Sequence, residues 1–285
     1  MFLSVFGHLN IDFILNVPRI PDEGSILTNA TILRPGGTAR NISLAAALLG
    51  IDNEIFSKVG KDFPKEFILE LKEKGVSIEN ILIDTKYKFS PICIIVSDFK
   101  KQLAFIDQGP MGDHGLNYKN FPSGRIVHFG TGDPEEYIKI KSIIDKETAF
   151  DPGQEIEYRY TKENLIAMLE GSKYVFFNER EYEKAKEILH DDITKYAENI
   201  IVTLGENGCM GIKKGEKFNL DAYKVKAKET IGAGDSFRAG FYLGIKNKIN
   251  FKKSCLIGMK IASIVVENGK IPKSFPPIDE IMKSP

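Results

Sequence analysis

Glu229-Thr230-Ile231-Gly232-Ala233-Gly234-Asp235-Ser236-Phe237-Arg238-Ala239-Gly240-Phe241-Tyr242 joins a glycine turn to a helix. Gly232 and Gly234 allow a tight turn and close approach of a ligand to the backbone. Behind them Phe237, Gly240, Phe241, Gly244 and Ile245 recur at the spacing of one helical face. A glycine turn that opens a helix offers unpaired N–H groups and the positive end of a dipole, which together can hold an anion. Asp235 falls in the first turn. A carboxylate there suits the dipole and needs no further role. Beside an anion hole it can equally act as a general base. The stretch alone leaves both readings open. Two common phosphate-binding patterns are excluded: Phe237 fills the third glycine position of GxGxxG, and no GxxxxGK[ST] occurs in the chain.

The chain has 285 residues, 42% hydrophobic and 27% charged, which suits one large α/β domain with or without a smaller appendage. Basic and acidic residues balance at 39 each, so nothing favours nucleic acid or an acidic membrane as partner. The apolar start Met1–Phe6 is too short, and without basic flanks, for a secretory signal. No apolar run reaches the ~18 residues of a membrane span. Cys93, Cys209 and Cys255 lie far apart without CxxC spacing, as expected of reduced thiols in a cytoplasmic protein. His8, His114, His128 and His190 are scattered and predict no zinc site.

Residues 2–9 read as a buried strand ending in the polar pair Asn10 and Asp12, where open α/β sheets place ligand groups. An ordinary strand-end turn would use the same residues. Residues 13–33 form a short β-prone excursion. Gly36-Gly37-Thr38-Ala39-Arg40-Asn41 then leads into a helix over 42–49, followed by a strand over 54–59 and a helix over 64–74. Residues 91–97 and 102–107 predict a hairpin turning at 98–101. Together with 13–33 they would build a small separate sheet, as a lid, a dimerisation surface or both. From Arg125 strands and helices alternate: 125–129, 134–144, 148–151, 161–170, 173–177, 179–189 and 199–204. That order predicts a mainly parallel sheet with helices on both faces. Asp151-Pro152-Gly153, Asn178–Glu181 and Thr203–Gly208 mark three of its strand ends. A hairpin over 209–225 precedes the glycine turn and a helix over 233–247. A further helix over 251–267 is apolar nearly all round and therefore buried.

Gly36–Ser43, with Gly50 and Gly60 beyond it, resembles the first signature of the ribokinase, or pfkB-type, carbohydrate kinases, and Thr230–Gly240 resembles the second. Asn10-Ile11-Asp12, Asn178–Glu181 and Thr203–Gly205 are similar to smaller motifs of that family, in the family's order. The resemblance implies a ribokinase-like α/β fold with a β lid. The main body would comprise 1–12, 34–83 and 113–285, and the lid 13–33 and 84–112. It further implies transfer of a phosphoryl group from ATP with Mg2+ to a primary hydroxyl. Asp235 would take the hydroxyl proton, and Gly232, Ala233 and Gly234 would form the anion hole. Asn10, Asp12, Gly36, Gly37 and Asn41 would hold the hydroxyl-bearing substrate. Asn178, Thr203, Gly205, Gly208, Gly258 and Ala262 would hold ATP, with Asn178 and Glu181 organising Mg2+ directly or through water.

Glu229 stands where many members carry Asp in a region that helps bind a monovalent cation, so the resemblance does not extend to potassium activation. Thr38 stands where sugar and sugar-phosphate kinases of the family carry Lys, and a phosphorylated sugar needs a cation nearby. Phe6–Asp12, Ser90–Cys93 and Asp107–Met111 look closer to archaeal nucleoside kinases. In that likeness Gln108 and Met111 would sit on the lid near a nucleobase; the β lid is also a candidate homodimer surface. The expectation is a nucleoside kinase. A sugar or sugar-phosphate kinase served by Arg34 or Arg40 is the alternative, and a non-catalytic nucleotide-binding protein on the same fold a third reading.

Overall fold

The computed structural model describes residues 1–98, 101–113, 115 and 118–283. In chain order its elements are β1 (Leu3–Phe6), β2 (Asn10–Asn16), β3 (Ala30–Gly36), α1 (Thr38–Leu48), β4 (Asn53–Val59), α2 (Lys65–Glu73), β5 (Ser77–Ile83), β6 (Ile92–Ser97) and β7 (Gln102–Asp107). Then come β8 (Ile126–Phe129), α3 (Pro134–Ile143), β9 (Glu147–Phe150), α4 (Lys162–Leu169), β10 (Tyr174–Asn178), α5 (Glu179–Leu189) and β11 (Asn199–Thr203). The chain ends with β12 (Cys209–Lys213), β13 (Glu216–Leu220), α6 (Ala233–Lys246), α7 (Phe251–Asn268) and α8 (Ile278–Lys283).

Among the described residues the strands form two sheets. The larger runs β13-β12-β11-β10-β9-β8-β1-β4-β5. Its pairs from β11 to β5 are parallel, while β12 and β13 are added antiparallel as a hairpin. Strand β10 shows why a parallel strand reads as an unbroken apolar run. Val175 and Phe177 enter the core under α3, α4 and α5, whereas Phe176, between them, enters the core under α1, α6 and α7. The two cores sandwich the sheet, and the strand C-termini converge on the edge where α6 begins.

The smaller sheet runs β3-β2-β6-β7. The hairpin of β6 and β7 pairs Ile92 with Asp107 and Ser97 with Gln102. Phe99 and Lys100, within the expected turn, lie outside the described residues, as does His114. Cross-strand register aligns Leu33, Phe13, Ile94 and Phe105 in one row, and Leu33, Ile94 and Phe105 in that row are exposed. The opposite face carries Asp12 and the buried Ile14 and Ile95.

Three local differences from the sequence expectation shape the site. The first strand ends at Phe6, because the chain dives beneath α1 at Gly7, where a Cβ would come within 3.0 Å of the Thr38 hydroxyl. Asn10 and Asp12 therefore lie inside β2 of the small sheet, not in a strand-end turn of the large one. Helix α1 starts at Thr38, four residues earlier than its apolar pattern suggests, and so takes Asn41 into its first turn. Strand β5 has no counterpart in the sequence expectation: its register against β4 slips between Glu54 and Phe56, and the extra residue breaks the alternation.

Candidate active site

Gly232 adopts φ 80° and opens α6 with no side-chain cap. The Ala233 N–H donates to the Thr230 carbonyl at 3.1 Å, closing the turn. Two residues on, Asp235 Oδ2 accepts from Asn41 Nδ2 at 2.8 Å, linking α6 to α1 across 194 residues of sequence. Burial pushes the Asp235 carboxyl up to about 6; Arg238 and the Asn41 hydrogen bond oppose the rise, and Asp151 and Asp12 add to it. Ionised at neutral pH yet more basic than an ordinary aspartate, it suits proton abstraction.

Asp12 approaches the same region from β2. It too is pushed up to about 6, mainly by burial, against the pull of Arg34 and Arg40. Gly36 faces it across the β2–β3 pair, and a Cβ there would fall 2.0 Å from Asp12 Oδ2. Gly37 has φ 96°, and its Cβ would lie 2.2 Å from the His8 carbonyl. The paired glycines are thus required by packing as well as by access. Asn10, opposite Gly36 in register, is buried beside them.

The strand ends next to α6 carry a further set. Arg238, one turn after Asp235 on α6, forms a bidentate pair with Asp151 at the end of β9, with Nε and Nη2 at 2.7 and 2.9 Å. Both residues are buried, and the guanidinium lies over the Phe176 ring. His128 Nδ1 lies 2.7 Å from the Tyr242 hydroxyl, and burial pulls this histidine down to about 4. Asn178 and Glu181 cap α5 reciprocally: the Asn178 N–H and Nδ2 donate to the Glu181 carboxylate, and Glu181 N–H donates to Asn178 Oδ1. Burial and the Asp151 charge raise the Glu181 carboxyl. Thr203 is paired with Asn178 in register, with its hydroxyl donating to the Phe177 carbonyl at 3.3 Å. Gly205 and Gly208 follow with φ 58° and 92°, and a Cβ at Gly208 would strike the Leu220 carbonyl.

Gln108 and Met111 lie on the segment that returns from β7. Gln108 Nε2 donates to Glu155 Oε1 at 2.7 Å and to the Tyr158 hydroxyl at 3.1 Å. Met111 is buried, its sulfur accepting the Lys58 N–H at 3.2 Å. Glu155 is fully buried and also accepts from the Gly132 N–H, with His8 Nε2 at 3.4 Å and Arg159 at 3.7 Å.

A model described as "pfkB family carbohydrate kinase" matches residues 2–275. The chain belongs to the pfkB family. A nucleoside kinase of Thermoplasma acidophilum is 35% identical over 272 residues, 94% of this chain and 90% of that protein. One from Methanocaldococcus jannaschii is 31% identical, covering 99% and 95%. The crystal structure of the latter organism's nucleoside kinase, described as an archaeal member of the ribokinase family, superposes with a TM-score of 0.86, covering 99% of this chain and 97% of that one. The fold is ribokinase-like, and membership makes this protein a phosphotransferase acting on an alcohol group and using ATP.

In this pfkB kinase the two signature regions meet through Asn41 and Asp235, and the glycine turn abuts them. Gly258 meets α6 instead: its Cβ would lie 2.8 Å from the Phe237 carbonyl, and it packs against Gly240 at the α6–α7 crossing. Helix packing alone explains that glycine. Ala262 is half-buried one turn further along α7. Arg238 and Glu155 carry site electrostatics that the sequence reading left unassigned. A lone arginine among Phe237, Ala239 and Phe241 on a buried helix is the available signal, because such a charge requires a buried carboxylate partner. Glu155 carries no comparable signal.

Among the described residues, no group of three or more His, Cys, Asp or Glu is arranged to hold a metal ion. Both Glu181 oxygens already accept from Asn178. This donor set fits an ion carried largely by phosphate and water, the usual habit of Mg2+ in phosphoryl transfer, and not an all-protein cage.

Proposed function

We propose that this kinase transfers the γ-phosphoryl group of ATP to the 5′-hydroxyl of a nucleoside. The observation that carries the reading is the meeting of Asp235, Asn41 and Asp12 where the small sheet faces the start of α6. Asp235 accepts the hydroxyl proton. Gly232, Ala233 and Gly234 receive the charge that spreads over the moving phosphoryl group, the Ala233 N–H exchanging its Thr230 carbonyl for the anion. Asp12 and Asn41 hold ribose hydroxyls, with Asn10, Gly36 and Gly37 shaping the pocket around them. Gln108 and Met111 border the base. Asn178, Thr203, Gly205 and Gly208 line the ATP side, and Ala262 on α7 stands beside it, whereas Gly258 is taken up by the α6–α7 packing. Asn178 and Glu181 hold Mg2+ through water; when bound, the ion neutralises phosphate charge. Positioning and charge stabilisation supply most of the catalysis in such a transfer.

A nucleoside is favoured over a sugar phosphate by two contacts. Thr38, at the family's lysine position, is paired with the Thr131 hydroxyl at 2.8 Å, and Arg40 is already held by Glu70 and Asn41. ADP release should be seen with inosine, guanosine, adenosine or cytidine; the two contacts disfavour fructose 6-phosphate, and Gln108 and Met111 favour a base-bearing acceptor over ribose or fructose. Turnover with fructose 6-phosphate alone would overturn the acceptor while leaving the kinase chemistry intact.

The outward apolar row Leu33, Phe13, Ile94 and Phe105 supports a homodimer through the small sheet. Sedimentation velocity at micromolar concentration should give a dimer that Phe105→Glu dissociates; a monomeric wild type would overturn this. The free thiols Cys93, Cys209 and Cys255 support a reducing, cytoplasmic setting.

A further inference from the structure

The Asn41 amide serves Asp235 in only one of its two orientations. With the amide nitrogen towards Asp235 it donates a hydrogen bond; turned over, it would set an oxygen against a carboxylate. Asp235 by itself enforces that choice only while it is ionised. The structure contains a second constraint. Arg40 Nη1 donates to Asn41 Oδ1 at 3.1 Å, and the other arm of the guanidinium, Nη2, donates to Glu70 Oε2 on α2 at 2.8 Å. The Arg40 side chain is only 11% exposed, so this fork is largely shielded from competing water. The result is a continuous chain from Glu70 through Arg40 and Asn41 to Asp235, crossing α2, α1 and α6. The same guanidinium charge also acts on Asp12.

We propose that Arg40 is a positioning residue for phosphoryl transfer: anchored by Glu70, it fixes the Asn41 amide so that its NH2 group stays on Asp235 and holds that carboxyl in its ionised form. The proposal rests on the reading of Asp235 as the base. An arginine is needed because two acceptors on different helices must be met by two rigidly spaced N–H groups, which a lysine ammonium does not provide.

The sign of the effect follows from the hydrogen bond. Donation from Asn41 stabilises the charged form of Asp235 and pulls its pKa down. Arg40→Met frees the amide to turn, so Asp235 should titrate higher, by about 0.5–1 pH unit for the loss of one such bond. The acid limb of kcat/KM should move up by the same interval, with a several-fold loss near pH 6 that narrows towards pH 8.5. Asn41→Ala should shift the titration in the same direction. Because both act through one bond, Arg40→Met with Asn41→Ala should shift it no further than Asn41→Ala alone. Glu70→Gln, at a partly exposed position that leaves the fold undisturbed, should give a smaller shift of the same sign.

The deciding measurement is a 13C NMR titration of the Asp235 carboxyl in wild type, the two single variants, the double variant and Glu70→Gln, run beside the pH–rate profiles. An unmoved Asp235 titration in Arg40→Met and Glu70→Gln, or shifts that add in the double variant, would overturn the proposal, since a merely structural Arg40 would lower stability without moving this carboxyl. The titration needs no turnover. A wild type inactive on every acceptor would therefore remove the base reading, while the NMR still judges the chain from Glu70 to Asp235.

Discussion

Asp235→Asn should bind nucleoside and ATP nearly as the wild type does and lose about 10²- to 10⁴-fold in kcat, the usual contribution of a positioned general base. The substitution keeps the shape of the side chain and keeps an oxygen to accept from Asn41 Nδ2. It removes the one property the chemistry needs, a site for the hydroxyl proton. It also removes a partly buried negative charge that raises the Glu181 carboxyl but is attracted to the buried Arg238, two effects on stability that oppose each other. The wild-type rate should in turn fall on the acid side with a midpoint near the Asp235 value of about 6. Steady-state kinetics and ligand binding on the same samples separate the outcomes. A variant with unchanged kcat would refute the base assignment, and one that has lost binding together with turnover would make Asp235 a substrate ligand first. Retained binding with lost turnover is the expected result, and it also excludes the non-catalytic reading of this fold.

The parts of the molecule legible in the sequence are those governed by local rules. Helix α5 was read at its observed limits because Asn178 and Glu181 form a capping box and His190 closes the other end in a left-handed turn. The strand-and-helix alternation from β8 to β11 was legible because buried parallel strands are short apolar runs between amphipathic helices. What stayed hidden depends on partners far away in the chain. Asp151 and Arg238 are 87 residues apart; the apolar surroundings of Arg238 require a buried carboxylate but do not say which one. Asp12 reads as the edge of the large sheet because strand order is not visible in a largely apolar run broken by Ser4, Gly7 and His8. Asn41 was placed ahead of its helix because Thr38 and Arg40 add no apolar period to it. The family likeness supplied the chemistry of Asp235, whereas only the fold shows which groups tune it.

Glu155 illustrates how much such hidden tuning can weigh. Its carboxyl is pushed up to about 8, first by burial and then by the Asp133 charge, against opposing contributions from Arg159 and the Gly132 N–H. His8 beside it is pulled down to about 3, again mainly by burial, so near neutral pH the pair carries its proton on the acid and a bare imidazole faces it. The folded-state pKa of Glu155 thus lies above its unfolded value of 4.5. Between those two values the folded state binds more protons than the unfolded chain, and stability falls as pH rises. The contribution is fully present below about 4.5 and lost by about 8, an interval that corresponds to something on the order of 4 kcal/mol. Glu155→Gln imitates the protonated acid at two of its partners: its oxygen can accept from the Gly132 N–H and its amide can donate to His8 Nε2, while Gln108, whose Nε2 donates to the same Oε1, must turn its own amide over to accept there. The variant should therefore escape the loss and become the more stable protein above pH 8. Asp12, Asp235 and Glu181 are also raised, and His128 is lowered, but these groups titrate in both proteins and largely cancel in the difference. Urea unfolding of both proteins at intervals from pH 5 to 9 reads that difference directly. A constant gap across the range would mean that Glu155 is already ionised in the fold at pH 5, with Arg159 as its true counterion. A gap that grows in favour of Glu155→Gln up to pH 8 and then levels would place the proton on Glu155. The Gln108 amide, which donates to that carboxyl at 2.7 Å, would then hold its orientation beside the candidate base pocket only as firmly as Glu155 keeps its charge state.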